Sequence, residues 1–75
     1  MITGASSIKK ETIPHGDDYY LIGATIVHQT ERDTFYITVL KNSYIRLESL
    51  PCDGLDEMLV SFDETVQKYK AIAKE

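Results

Sequence analysis

The chain is short, mildly acidic and poor in cysteine, which excludes several classes of protein. Its 75 residues make one domain at most, and a chain of that length builds only a marginal core. One cysteine rules out an intrachain disulfide, and two separated histidines do not make a structural zinc site. With 12 acidic and 8 basic residues, the net charge of −4 disfavours a phosphate-binding surface. Small folds without such supports commonly rely on a second subunit, so we expect self-association or partner binding.

The chain carries no predicted targeting or membrane segment. Residues 1–8 lack the basic region and long apolar stretch of a secretory signal, and the longest uncharged run, 19–30, is too short to cross a bilayer. The single Cys52 fits a reducing compartment. We therefore expect a cytoplasmic protein.

Four segments in the first fifty residues have the composition or alternation of β-strands. After a loose tail at residues 1–6, we predict strands at 7–13, 19–29, 34–41 and 44–50. The breaks between them are short and rich in polar residues, Pro or Gly. Because parallel neighbours need long crossovers, these short breaks predict an antiparallel meander.

The last third of the chain has the period of a helix. Its apolar residues recur at alternating spacings of four and three: Leu55, Leu59, Phe62, Val66, Tyr69 and Ala73. We predict a helix over residues 54–74, with Asp53 as its N-cap. A competing interpretation begins the helix at Ser61 and makes 57–60 a strand; the unbroken stripe favours the longer helix and leaves Val60 facing solvent. The predicted fold class is α+β, a three- to four-stranded antiparallel meander with one C-terminal helix packed on one face.

Both faces of the predicted sheet are apolar, and one helix can cover only one of them. The expected helix-side core comprises Phe35, Ile37, Val39, Ile45 and Leu47, with Glu48 on the opposite side. The opposite face also carries the residues that we predict to bind a partner: Tyr19, Leu21, Val27, Tyr36, Leu40 and Tyr44. Two alternatives remain open: the first sixteen residues fold across this face, or the sheet coils about Gly23 and covers itself.

No cluster in the sequence has the spacing of a catalytic or metal site. Cys52 precedes the helix, but the acids that follow it oppose a thiolate, so we interpret it as a half-buried apolar residue. His28 shares the parity of Ile26 and has no second group placed to work with it, which favours a strand histidine over a general base. We therefore predict no enzymatic activity, no cofactor and no metal.

Two functions are consistent with this pattern. The first is a small protein–protein interaction or inhibitory module, homo-oligomeric or partner-bound through the apolar face. The alternative is a nucleic-acid-associated regulator whose strand tyrosines stack bases. Residues 50–54 (Leu-Pro-Cys-Asp-Gly) and 61–70 are loosely similar to the end of HicB-type antitoxins. The order of Gly and Cys differs from the antitoxin pattern, so no residue role is carried over.

Overall fold

The chain folds into one antiparallel sheet followed by one helix. The computed structural model describes residues 1–74. The elements are β1 (Ile2–His15), β2 (Asp18–Gln29), β3 (Asp33–Lys41), β4 (Ile45–Cys52) and α1 (Leu55–Ala73). The strands pair in chain order, β1-β2-β3-β4, and the helix packs on the sheet. The predicted α+β meander with a C-terminal helix is confirmed.

The first strand is longer than the sequence predicted. It begins at Ile2 and takes in residues 2–6, where we expected a loose tail. These residues are exposed, so they show no apolar alternation, but they pair with β2 along the backbone. The Thr3 hydroxyl also donates to the His28 carbonyl at 3.2 Å. The start of β1 is therefore determined by backbone pairing and cannot be predicted from the pattern of its side chains.

The core lies between the helix and one side of the sheet. The sheet contributes Ile13, Ile22, Ala24, Ile37 and Val39, and the helix contributes Met58, Phe62, Val66 and Tyr69. Because alternate residues of a strand share one side, these residues define the helix-facing side. Cys52 is half-buried and packs against this core, in keeping with its interpretation as an apolar residue.

The helix runs as predicted, but its start differs in detail. Gly54 is the N-cap, and no side chain caps the helix, so the predicted Asp53 cap is wrong. Instead the Asp53 backbone N–H donates to the Glu57 carboxylate at 2.9 Å. Val60 faces solvent, 57% exposed, as the longer helix required. The interpretation that began the helix at Ser61 is wrong.

A bulge in β4 shifts its alternation, so that side chains beyond the bulge lie on the side of the sheet opposite to the one predicted. The pairing steps from Glu48 to Arg46 while β3 advances by one residue, so Leu47 is an extra residue. Glu48 therefore lies on the helix-facing side, where its carboxylate accepts a hydrogen bond from the Tyr69 hydroxyl. Ile45 and Leu47 are 41% and 42% exposed. The prediction that Ile45 and Leu47 fill the core opposite Glu48 is wrong, because strict alternation fails where two residues oppose one.

Candidate functional site

The side of the sheet opposite the helix is left uncovered by residues 1–74. All four strands lie in the sheet itself, and the one helix packs on the other side. We call this surface the open face. On the two central strands its residues are Leu21, Gly23, Thr25, Val27, Thr34, Tyr36, Thr38 and Leu40, all half-buried and none charged.

Strand register places the large apolar residues of the open face in two groups. Leu21 lies directly opposite Leu40 across the β2–β3 pair, which makes a leucine pair at one end. Tyr36 lies opposite Thr25, beside Val27, and makes the second group. Leu21 and Leu40 are directly opposed and Val27 is a diagonal neighbour of Tyr36, both of which are arrangements within reach of side-chain contact.

Two shallow depressions lie on the open face. One is centred on Gly23, which has no side chain, and is bordered by Leu21, Leu40 and Thr25. The other lies between Tyr36 and the β4 edge. Depressions beside raised aliphatic groups are shaped to receive side chains from another surface.

Charge is confined to the rim of the open face. Lys10 on β1 borders the Gly23 depression, and Arg46 on β4 borders the one beside Tyr36. Most acids of the last third of the chain lie on the exposed surface of the helix: Asp56, Glu57, Asp63 and Glu64. The centre of the open face can therefore be desolvated without burying a charge.

The structure brings together four of the six residues predicted to bind a partner. Leu21, Val27, Tyr36 and Leu40 share the open face. Tyr19 lies on the same side of β2 at its far end, where its hydroxyl is 2.7 Å from the Ser43 hydroxyl.

Tyr44 lies apart from the other five predicted residues. It belongs to the turn between β3 and β4 and is 76% exposed. The strand predicted at about 44–50 corresponds to β4, which begins one residue later at Ile45.

Neither alternative covering of this face is present in residues 1–74. The first sixteen residues form the edge strand β1 and its turn instead of crossing the sheet. Gly23 pairs in regular register with Lys10 and Thr38, and the sheet irregularities lie elsewhere. The sequence missed Lys10 as a rim residue, since only the β1–β2 register reveals its position.

One end of the open face is fixed by a side-chain cluster around Asn42. Its side-chain oxygen accepts from the Tyr19 backbone N–H at 3.0 Å, and its amide nitrogen donates to Asp18 at 2.8 Å. The Asn42 hydrogen bond and the nearby Lys41 ammonium lower the pKa of Asp18 below its ordinary value. Asn42 therefore ties the β3–β4 turn to the start of β2, next to the leucine pair.

No protein-family model matches the chain, and no curated protein or solved structure shows significant similarity to it. Among residues 1–74, no helix has the length and apolar character needed to cross a membrane. In the same part of the chain, no three side chains of metal-ligating type converge. Function is therefore inferred from the surfaces of this fold.

Proposed function

We propose that the chain is a small protein–protein interaction module, with a regulatory or inhibitory role in the cytoplasm, that binds a second copy of itself through the open face. The observation that carries this proposal is the uncovered group of Leu21, Leu40, Val27 and Tyr36. Apolar patches of this kind on small proteins usually mark interaction sites.

The area of the open face supports a dimer of modest affinity. Four strands about 4.8 Å apart and eight residues of about 3.3 Å each give a face of about 500 Å². Two such faces, counted out to the rim on β1 and β4, together bury at most about 1,000 Å², which is the lower bound for a specific interface. The cost of association offsets much of the hydrophobic gain, so we expect a dissociation constant in the micromolar range, roughly 1–100 μM.

The shape of the open face also suits a second copy. Two sheets pack face to face about 10 Å apart with interdigitating side chains. The Gly23 depression can take a large side chain from the other copy, while Lys10 and Arg46 stay at the rim in water. The dimer would then have four layers, helix–sheet–sheet–helix, with the open face of each sheet covered.

The positions of the tyrosines favour a protein partner over a nucleic acid. Tyr36 lies level with Thr25, which is six residues along β2 from Tyr19. That separation is about 20 Å at 3.3 Å per residue, too far for the two rings to stack neighbouring bases. The rim supplies two basic side chains, Lys10 and Arg46, whereas phosphate-backbone binding needs a basic face.

A matched pair of tyrosine substitutions tests the proposal. Tyr36→Asp places a charge in the centre of the open face, and Tyr44→Asp makes the same change in an exposed turn outside it. We expect Tyr36→Asp to weaken self-association at least about 30-fold in sedimentation velocity, which is about 2 kcal/mol. Tyr44→Asp should leave the dissociation constant unchanged. Equal effects of the two substitutions, or a wild-type protein that stays monomeric at 0.5 mM (~5-fold above the weakest affinity expected), would contradict the proposal.

A further inference from the structure

Three polar side chains from three neighbouring strands form a hydrogen-bonded chain on the helix-facing side. Ser6 on β1 has its Oγ 3.0 Å from Nε2 of His28 on β2. The Nδ1 of His28 is 3.0 Å from Oδ1 of Asp33, the first residue of β3. This cluster could not be predicted from the sequence, since Ser6 lies 22 residues before His28 and is brought to it only by the β1–β2 register. We call these three residues the Ser6 cluster.

The chemistry of the partners fixes the direction of both hydrogen bonds. An ionised carboxylate can only accept, so with a neutral ring the Nδ1 of His28 carries the proton and donates to Asp33. The Nε2 of the neutral ring then has a free lone pair, and it accepts the hydroxyl proton of Ser6. The hydroxyl is thus hydrogen-bonded to the basic nitrogen of the imidazole, and a carboxylate holds the other nitrogen. This arrangement activates a hydroxyl as a nucleophile.

The surroundings of Ser6 leave room for a reacting molecule. Gly4 shares the side of Ser6 and pairs with His28, and a Cβ built on it would meet nothing within 4 Å. Ser6 itself is exposed, and register shifts lie on both sides of it, between Ile2 and Gly4 and between Ser7 and Lys9. Since β1 is an edge strand, some of its backbone N–H groups have no partner within the sheet.

We propose that Ser6 is the nucleophile of an acyl-transfer site that hydrolyses small activated esters or thioesters. The Ser6 Oγ bonds to the acyl carbon while His28 Nε2 takes the hydroxyl proton. The tetrahedral adduct then expels the alcohol or thiol, which receives that proton from Nε2. Water next attacks the acyl-serine, gives a proton to Nε2, and the Ser6 oxygen leaves with that proton as the carboxylic acid departs. Because the site lies on an open surface that supplies little substrate-binding energy, its substrates are acyl compounds whose leaving group is already activated.

The first test locates the acyl group after reaction with p-nitrophenyl acetate. We expect mass spectrometry of the full chain to show one acetyl group on Ser6, and none there in Ser6→Ala or His28→Gln. The matched control is Ser7→Ala, which removes the next hydroxyl on the opposite side of the same strand and should change nothing. Turnover of wild type should exceed that of Ser6→Ala at least about 100-fold.

Two results would overturn the proposal. One is the absence of acetyl-Ser6, with acetyl groups confined to lysines or to the imidazole of His28. The other is acetylation of Ser6 to the same extent in His28→Gln. All three residues of the cluster are exposed or half-buried at the surface, so these variants are expected to fold.

A second test separates the positioning role of Asp33 from a structural one. Asp33→Asn removes the carboxylate that holds the imidazole, and we expect kcat to fall at least about 10-fold with KM unchanged. A purely structural contact would shift the melting temperature without that selective loss of kcat. An unchanged kcat in Asp33→Asn would contradict the role of Asp33, whatever its effect on stability. The proposal does not depend on self-association, because the Ser6 cluster and the open face lie on opposite sides of the sheet.

Discussion

At the scale of single residues, Asn42 has the most specific role in the fold. It adopts a left-handed backbone with φ of 55°, which asparagine tolerates better than most residues, and its side chain bonds both Asp18 and Tyr19. Asn42→Ala would lose both hydrogen bonds and add backbone strain. We expect it to lower the free energy of unfolding by about 2 kcal/mol in urea titrations.

A glycine substitution separates the two contributions of Asn42. Asn42→Gly keeps the left-handed backbone without strain but removes the amide, so we expect a loss of about 1 kcal/mol. Equal stability of the alanine and glycine variants would show that backbone strain at residue 42 does not contribute to the loss.

Glu48 makes stability depend on pH in the acid range. Hydrogen bonds from the Tyr69 hydroxyl and the Lys68 ammonium lower the pKa of Glu48 below its ordinary value. A carboxylate with a lowered pKa stabilises the fold above its unfolded-state pKa, and that contribution is lost as pH falls through its folded-state pKa. Glu48→Gln should therefore cost about 1 kcal/mol at neutral pH and almost nothing once Glu48 is protonated.

Denaturant titrations of wild type and Glu48→Gln across the acid range measure this effect. Glu64→Gln, the same change at an exposed position of α1, is the control and should leave the pH profile close to that of wild type. A stability difference between wild type and Glu48→Gln that stays constant into strong acid would contradict the role assigned to Glu48.

At alkaline pH, the contact between Glu48 and Tyr69 makes stability depend on the ionisation of Tyr69. Burial, and then the neighbouring Glu48 carboxylate, raise the pKa of Tyr69 above its ordinary value. A group with a raised pKa stabilises the fold below its unfolded-state pKa, and the contribution is lost as pH rises through the folded-state pKa. Removing the hydroxyl in Tyr69→Phe should therefore flatten the loss of stability at strongly alkaline pH in thermal melts.

At the scale of elements, the helix contributes stability through one stripe only. Met58 is fully buried, whereas Val60 is 57% exposed two residues away. We expect Met58→Ala to cost about 3 kcal/mol through lost burial and a cavity, and Val60→Ala to cost less than about 0.5 kcal/mol. For a chain of this length, whose whole expected stability is about 4–11 kcal/mol, the first loss is large.

Guanidinium unfolding followed by circular dichroism measures both helix variants under the same conditions. The two side chains lie within one turn of the same helix. Differences in helix propensity between the two substitutions are small compared with the expected difference in their losses of unfolding free energy. Similar losses for Met58→Ala and Val60→Ala would mean that the helix does not pack on the sheet through this stripe.

The helix and the strands could be predicted because apolar residues repeat with different periods in the two, and because the polar segments between the strands are short. The helix stripe marked α1 to within a residue at each end, and β-branched runs marked β2 and β3. Two features left no trace in the alternation of side chains: the pairing of residues 2–6 and the β4 bulge at Leu47. Both depend on backbone register, which the sequence pattern does not encode, and the bulge alone moved Glu48 from the outside of the sheet to the core side.

The candidate sites were predictable to different degrees for the same reason. Leu21, Val27, Tyr36 and Leu40 fall on one face by simple alternation within two regular strands. The Ser6 cluster needs a strand where no strand was predicted, and a register that joins residues far apart in sequence. The open face could therefore be predicted from the sequence, whereas the Ser6 cluster could not.

At the scale of the whole molecule, residues 1–74 form two layers, one sheet and one helix. Its principal extents are 43 × 23 × 15 Å, and the shortest accommodates one sheet and one helix. A sheet with a helix on one side has a second surface that must be polar, covered, or used for binding. Here the central part of that surface holds four large apolar side chains and no charge. In the proposed dimer, a second copy would add two further layers to each core.

Nuclear Overhauser contacts between differently labelled copies test whether two open faces pack against each other. A 1:1 mixture of ¹³C-labelled and unlabelled protein, recorded with isotope filtering, reports only contacts between copies. Dimerisation through the open face predicts intermolecular contacts from the methyl groups of Leu21 and Leu40 and from the ring of Tyr36. Intermolecular contacts confined to the helix or the sheet edges, or none at a concentration of 0.5 mM (~5-fold above the weakest expected affinity), would contradict it.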